Sequence, residues 1–179
     1  MCYNVKNYKM EASMIILGID PGIALVGWGV VEYSGTKFRP IAFGSISTPK
    51  DLPTHKRLEM IYSDLCQIID RYHPEQAAIE ELFFNTNITT GIRVSEARGV
   101  ILLACSHKGL VLQEYTPLQV KQAVVGYGRA EKKQVIMMTT TLLGLKAPPK
   151  PDDAADALAI AICHGNTGAS ALKGYFNKR

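Results

Sequence analysis

Apolar and polar positions first fall into short runs separated by turn residues. Met14 to Ile19 is an apolar run, and Asp20-Pro21-Gly22 closes it with a turn. Ala24 to Tyr33 predicts a second strand, weakened by Gly27 and Gly29. Phe38 to Ile46 predicts a third, in which Pro40 points to an edge position or a bulge. Three successive strands with short connections imply an antiparallel meander.

The pattern then changes to a helical period. From Thr54 to Tyr72, Leu58, Ile61, Leu65, Ile68 and Tyr72 share one face, and Pro74 ends the segment. Ala77 to Leu82 is another short run, read as a buried strand, and its Glu80 ends the nearly uncharged segment Gln76-Ala77-Ala78-Ile79. Asn87 is a candidate cap for a helix running to His107, with Gly109 as its stop. Leu110 to Tyr115 predicts a fifth strand. Thr116-Pro117-Leu118-Gln119 combines a capping box with proline at the first helical position, and that helix should end near Gly126. Glu131 to Leu143 predicts another helix, Pro148, Pro149 and Pro151 a stiff connector, and Asp153 to His164 the last helix. The order β-β-β-α-β-α-β-α-α-α implies an α/β fold whose mixed sheet carries helices on both faces.

Length and composition narrow the picture. The 179 residues suit one domain, with 47% apolar and 20% charged residues as in ordinary globular chains. Residues 1–13 lack a signal-peptide pattern and are expected to lie outside the fold. Residues 14–165 are expected to form the folded domain, and 166–179 a flexible basic tail. No apolar stretch is long enough for a membrane helix. Cys2, Cys66, Cys105 and Cys163 show no zinc-ligand spacing, and the last three are expected as core thiols of a cytoplasmic protein. The formal charge of +4 is concentrated between Arg93 and Lys133, where seven basic residues face three glutamates. Such a local excess suits a polyanion such as DNA.

The candidate chemistry lies in four acids. Asp20 and Glu80 each end a predicted strand, where ligands gather in open α/β sheets. Asp153 and Asp156 stand three apart on a predicted helix, so both project to one face, about 5–6 Å apart. Taken singly, each has an ordinary explanation. Asp20 suits a turn, Asp152 or Asp153 a helix cap, Asp156 the helix dipole, and Glu80 an ion pair with Arg98 or a nearby lysine. Gathered together, four carboxylates would repel one another unless a hard divalent cation such as Mg²⁺ joined them. Two such ions can clamp the attacking water and the leaving oxygen of a phosphodiester.

The segments carrying these acids resemble the RuvC family of Holliday-junction resolvases. Gly18-Ile19-Asp20-Pro21-Gly22 is similar to that family's first-strand motif, and Ala78-Ile79-Glu80 with Phe83 to its second. Ala97-Arg98-Gly99-Val100 matches its Ala-Arg-Gly-Val stretch. Gln119-Val120-Lys121-Gln122, Val124-Val125-Gly126 and Ala130-Glu131-Lys132 match its basic segment, and Asp153-Ala154-Ala155-Asp156-Ala157-Leu158-Ala159 its last motif. The resemblance implies an RNase H-like fold with a five-stranded sheet, three strands antiparallel and two parallel. It implies a crossover junction endodeoxyribonuclease of DNA recombination and repair that makes paired symmetric nicks and leaves 5′-phosphate ends. It further implies two Mg²⁺ per active site, with Mn²⁺ as a substitute, held by Asp20, Glu80, Asp153 and Asp156. A homodimer, four-way junction DNA and the RuvA-RuvB branch-migration complex are the implied partners. DNA contacts are implied at Phe83, Phe84, Arg98, Lys121, Arg129 and Lys132. The chain departs from the family at Val94-Ser95-Glu96, where Val-Gly-Gln is usual, and at Thr86, where a lysine is common. Asp152 beside Asp153 leaves two candidates for the first helical ligand, and the Ala-Ala-Asp spacing favours Asp153.

Two rival classes differ in kind. The Gly-rich start also suits a sugar-kinase-like or actin-like ATPase, but no second glycine-rich phosphate loop follows and the chain is short for two such domains. A junction-binding module without cleavage would have no use for all four acids.

Overall fold

The computed structural model describes residues 13–81 and 88–176. The elements follow the expected order: β1 (Met14–Asp20), β2 (Leu25–Ser34), β3 (Lys37–Ser47), α1 (Thr54–Tyr72), β4 (Gln76–Glu80), α2 (Ile88–His107), β5 (Val111–Tyr115), α3 (Pro117–Val125), α4 (Lys132–Leu142) and α5 (Asp152–Phe176). The sheet order is β3-β2-β1-β4-β5. β1 to β3 form the antiparallel meander, and β4 runs parallel to both β1 and β5. β3 is an edge strand, and its pairing skips Ile41, since Val30 faces Ala42 and Val31 faces Pro40. Proline has no N–H to give a ladder, which explains a bulge at this place.

Strand alternation divides the apolar residues between two cores. Leu17, Ile19, Val26, Val30, Ala77 and Ile79 pack with α1 and α2, through residues such as Ile61, Leu65 and Ile101. Ile16, Val31 and Ala78 pack on the opposite face with α3, α4 and α5, through Val120, Val135 and Leu158 to Cys163. Side chains two apart on a strand share a face. Asp20 therefore shares its face with Ile16, and Glu80 with Ala78. Both acids look toward α5.

The capping box expected at Thr116 and Gln119 is present in both directions, and Gly126 closes α3 in the left-handed region. Cys105 and Cys163 are buried free thiols, and Cys66 is half-buried. One expectation fails at the end of the chain. α5 does not stop at His164 but continues through Phe176, so residues 166–176 extend the helix. Gly165, one residue past the expected helix end, makes room for a neighbour: a Cβ there would lie 2.5 Å from the Phe38 ring. Thr167 then returns its hydroxyl to the Cys163 carbonyl at 2.6 Å, within the helix. Among the described residues no helix is long and apolar enough to cross a membrane.

Candidate active site

Three elements deliver the four acids to one corner of the sheet. Asp20 is the last residue of β1 and Glu80 the last of β4, its parallel neighbour. Asp153 and Asp156 lie in the first turns of α5, which crosses the same face of the sheet. Asp152, the alternative to Asp153, is exposed and stands 3.8 Å from the Lys150 ammonium.

The glycines of β1 and β2 let the helix come this close. A Cβ on Gly18 would lie 2.0 Å from the Ala157 carbonyl oxygen, and one on Gly27 would lie 2.0 Å from the Asp153 carbonyl oxygen. Gly27 pairs directly with Asp20 across the sheet. The backbone of β2 at this point is therefore the floor on which Asp153 rests. In the sequence Gly27 and Gly29 read only as weak points of a strand. Their place opposite Asp20 and under α5 needed the β1–β2 register and the path of the helix. The signal in the sequence was two glycines in a strand that faces a motif rich in alanine.

The electrostatics show how crowded the acids are. Burial, then Asp156, Glu80 and Asp153, push the Asp20 carboxyl up to about 8, against the pull of Lys132. Glu80 is raised by burial and by Asp156, and lowered by Lys121 and Lys132. The Lys132 ammonium donates to Asp156 Oδ2 at 2.7 Å, and that bond raises the lysine's own pKa. A protein cation already stands among the acids and holds one of them.

Among the described residues, no three His, Cys, Asp or Glu side chains stand close enough together to hold a metal ion. The donor chemistry nevertheless fits a hard divalent cation. All four groups are carboxylates, and they bear electrostatically on one partly buried member, Asp20. Beside them opens a cavity of about 230 Å³, lined by Glu80, Lys121, Lys132 and Asp156 over an apolar floor that includes Val120 and Val135.

The other expected residues divide. Lys121 and Lys132 stand at this cavity. Arg129 is exposed on the connection between α3 and α4. Arg98 forms an ion pair with Glu114 of β5, its side chain only 17% exposed, so it reaches neither Glu80 nor the other acids. Phe83, Phe84, Thr86 and the candidate cap Asn87 lie outside the described residues. Arg57, which no pattern in the chain singles out, is buried beside the turn that follows Asp20.

Comparison with known proteins identifies the family and the fold. The family model described as Crossover junction endodeoxyribonuclease RuvC matches residues 16–164. The protein of that description from Alkaliphilus metalliredigens is 59% identical over 155 residues, 87% of this chain and 94% of that one. The Thermus thermophilus RuvC structure superposes with a TM-score of 0.82 at 37% identity, covering 88% of this chain and 97% of that one. The T. thermophilus RuvC structure in complex with Holliday junction substrate gives 0.81 at 35% identity, covering 88% and 96%. The fold is RNase H-like.

Proposed function

The chain belongs to the RuvC family of crossover junction endodeoxyribonucleases, and on that footing we propose that it resolves four-way DNA junctions by Mg²⁺-dependent hydrolysis. The observation that carries this reading is the enclosure of Asp20: burial first, then Asp156, Glu80 and Asp153, pushes its carboxyl up to about 8. Four acids crowded in this way are costly unless a divalent cation is part of the design.

Asp20, Glu80, Asp153 and Asp156 would hold two ions. When bound, a divalent pair lowers the pKa of the attacking water and stabilises the leaving 3′ oxygen. Water attacks phosphorus, the bond from phosphorus to O3′ breaks, and the products are a 3′-hydroxyl and a 5′-phosphate. Lys132 leaves Asp156 to neutralise a non-bridging phosphate oxygen, and Lys121, which already bears on Glu80, does the same from the α3 side. Arg129 extends this basic track along the strand. Phe83, with Phe84 beside it, stacks on an unpaired base near the cut, a contact worth roughly 1–3 kcal/mol per base. Two copies related by a twofold axis place two such sites on strands of like polarity, and the RuvA-RuvB complex supplies the junction.

The test is a labelled four-way junction and a sequence-matched linear duplex, each incubated with Mg²⁺ or with EDTA. The junction should be nicked in pairs, only with Mg²⁺, and ligase should seal the ends. Equal cutting of the duplex, or cutting in EDTA, would overturn the reading.

A further inference from the structure

The buried face of α1 begins with a charge. Ile61, Leu65 and Ile69 follow at four-residue intervals, and Arg57 precedes them on the same face, only 7% exposed. A buried guanidinium is costly unless its hydrogen bonds are well satisfied. Those found for Arg57 among the described residues go to neutral groups. Nε donates to Thr48 Oγ1 at 2.8 Å, and Nη2 donates to the Ile23 carbonyl at 3.1 Å. The Thr48 hydroxyl donates to that same carbonyl at 2.5 Å, and the Thr48 N–H donates to the Ala24 carbonyl at 3.1 Å.

All of these bonds end on, or brace, one stretch of backbone. It is the short connection from Asp20, the last residue of β1, to Leu25, the first of β2. The connection is tight, since a Cβ on Gly22 would lie 2.2 Å from the Leu25 carbonyl oxygen. Asp20 is the residue immediately before this connection, so the backbone that Arg57 holds at Ile23 bears directly on where the Asp20 side chain stands. An apolar residue at position 57 would complete the α1 stripe but could not hold the loop. Lysine, a single point donor, could not span Thr48 and Ile23 together as the guanidinium fork does.

We infer that Arg57 is a positioning residue for Asp20: braced by Thr48, its guanidinium fixes the connection over 21–24 and so sets where the Asp20 carboxylate stands among the other acids. This inference rests on the nuclease reading, and its test keeps the two apart.

Mn²⁺ titration followed by electron paramagnetic resonance, single-turnover junction cleavage, and junction binding in EDTA should be measured for the parent, Arg57→Met, Arg57→Lys, Thr48→Val and Thr48→Ser. Arg57→Met and Thr48→Val should lose roughly 10–100-fold in Mn²⁺ affinity and in cleavage rate, the usual effect of removing a group that orients a ligand. Thr48→Ser, which keeps the hydroxyl, should behave as the parent, with Arg57→Lys in between. Junction binding in EDTA should not change. Should Arg57→Met fail to fold, the Thr48 pair carries the same readouts. A lower Tm with parental Mn²⁺ affinity would show a purely structural role and overturn the inference. Weaker junction binding in EDTA with a shallower salt dependence would make Arg57 a phosphate contact and overturn it as well. A parent that takes up no Mn²⁺ would sink the nuclease reading itself.

Discussion

Asp20 holds its proton in the folded chain under conditions where the unfolded chain has lost it. Its carboxyl sits at about 8 in the fold, against the ordinary 3.8. Between these values the native state carries one more proton than the unfolded state at this residue. Metal-free stability therefore falls as pH rises from about 4 to about 8, at a limiting slope of about 1.4 kcal/mol per pH unit for one group. Glu80, also raised, adds to the same trend. His164, lowered by burial, acts the other way, losing stability as pH falls below the ordinary histidine range. Comparing Asp20→Asn with the parent at each pH cancels that contribution. In EDTA the variant should melt several degrees above the parent at about pH 8, and the gap should close toward about pH 5. Added Mg²⁺ should raise the parent's Tm and leave the variant's nearly unchanged. Cleavage should be abolished in the variant while junction binding persists, because the proposed phosphate contacts lie on α3, α4 and their connection. A variant that cuts at the parental rate would remove Asp20 from the chemistry.

At the scale of elements, strand parity and helix spacing were readable before the structure was known. Asp20 lies two strand steps from Gly18 and four from Ile16, and Asp153 and Asp156 lie one helical turn apart. The bulge at Pro40 and the capping box at Thr116 were also readable, because each depends on local backbone chemistry. What local pattern could not show was the third dimension. Gly27 reads as a defect in a strand until α5 is laid over it, and Gly165 has no evident purpose until Phe38 fills the space beside it. Arg57 occupies a position the helical pattern assigns to the core, and its hydrogen-bond partners lie on segments distant in the chain. A pair of substitutions measures the difference between glycine as packing and glycine as weakness. In Gly27→Ala the new Cβ meets backbone, so α5 must move from the sheet and carry Asp153 with it. Mg²⁺ response and cleavage should collapse together, with a fall in Tm. In Gly99→Ala, inside α2, the Cβ meets nothing within 4 Å. That variant should gain about 0.5–1 kcal/mol from helix propensity alone. Loss of junction binding in Gly99→Ala would mean that another molecule approaches α2 closely there.

For the molecule as a whole, net charge overstates the surface available to DNA. The stretch from Arg93 to Lys133 holds the whole formal excess of the chain, yet its charges are not equivalent once folded. Arg98 is held by Glu114 and mostly covered. Glu131 stands at the N-terminus of α4, where its N–H donates to Gln134 Oε1 at 2.8 Å and the helix dipole favours an acid. Lys121 lines the cavity beside the acids together with Lys132, and Arg129 is exposed on the connection between α3 and α4. This arrangement predicts which cations release counterions on binding. Each phosphate contact to duplex DNA contributes about 0.9 to the slope of log affinity against log salt. With a four-way junction in EDTA, Lys121→Ala and Arg129→Ala should each make that slope shallower by about one and weaken binding to all sequences alike. Arg98→Ala should leave the slope where it is and lower Tm instead, because it removes a mostly covered side chain that links α2 to β5. If Arg98→Ala changed the slope as much as Arg129→Ala, the basic stretch would be acting as one uniform patch. The division between a charge that ties the fold and charges that meet DNA would then have no basis.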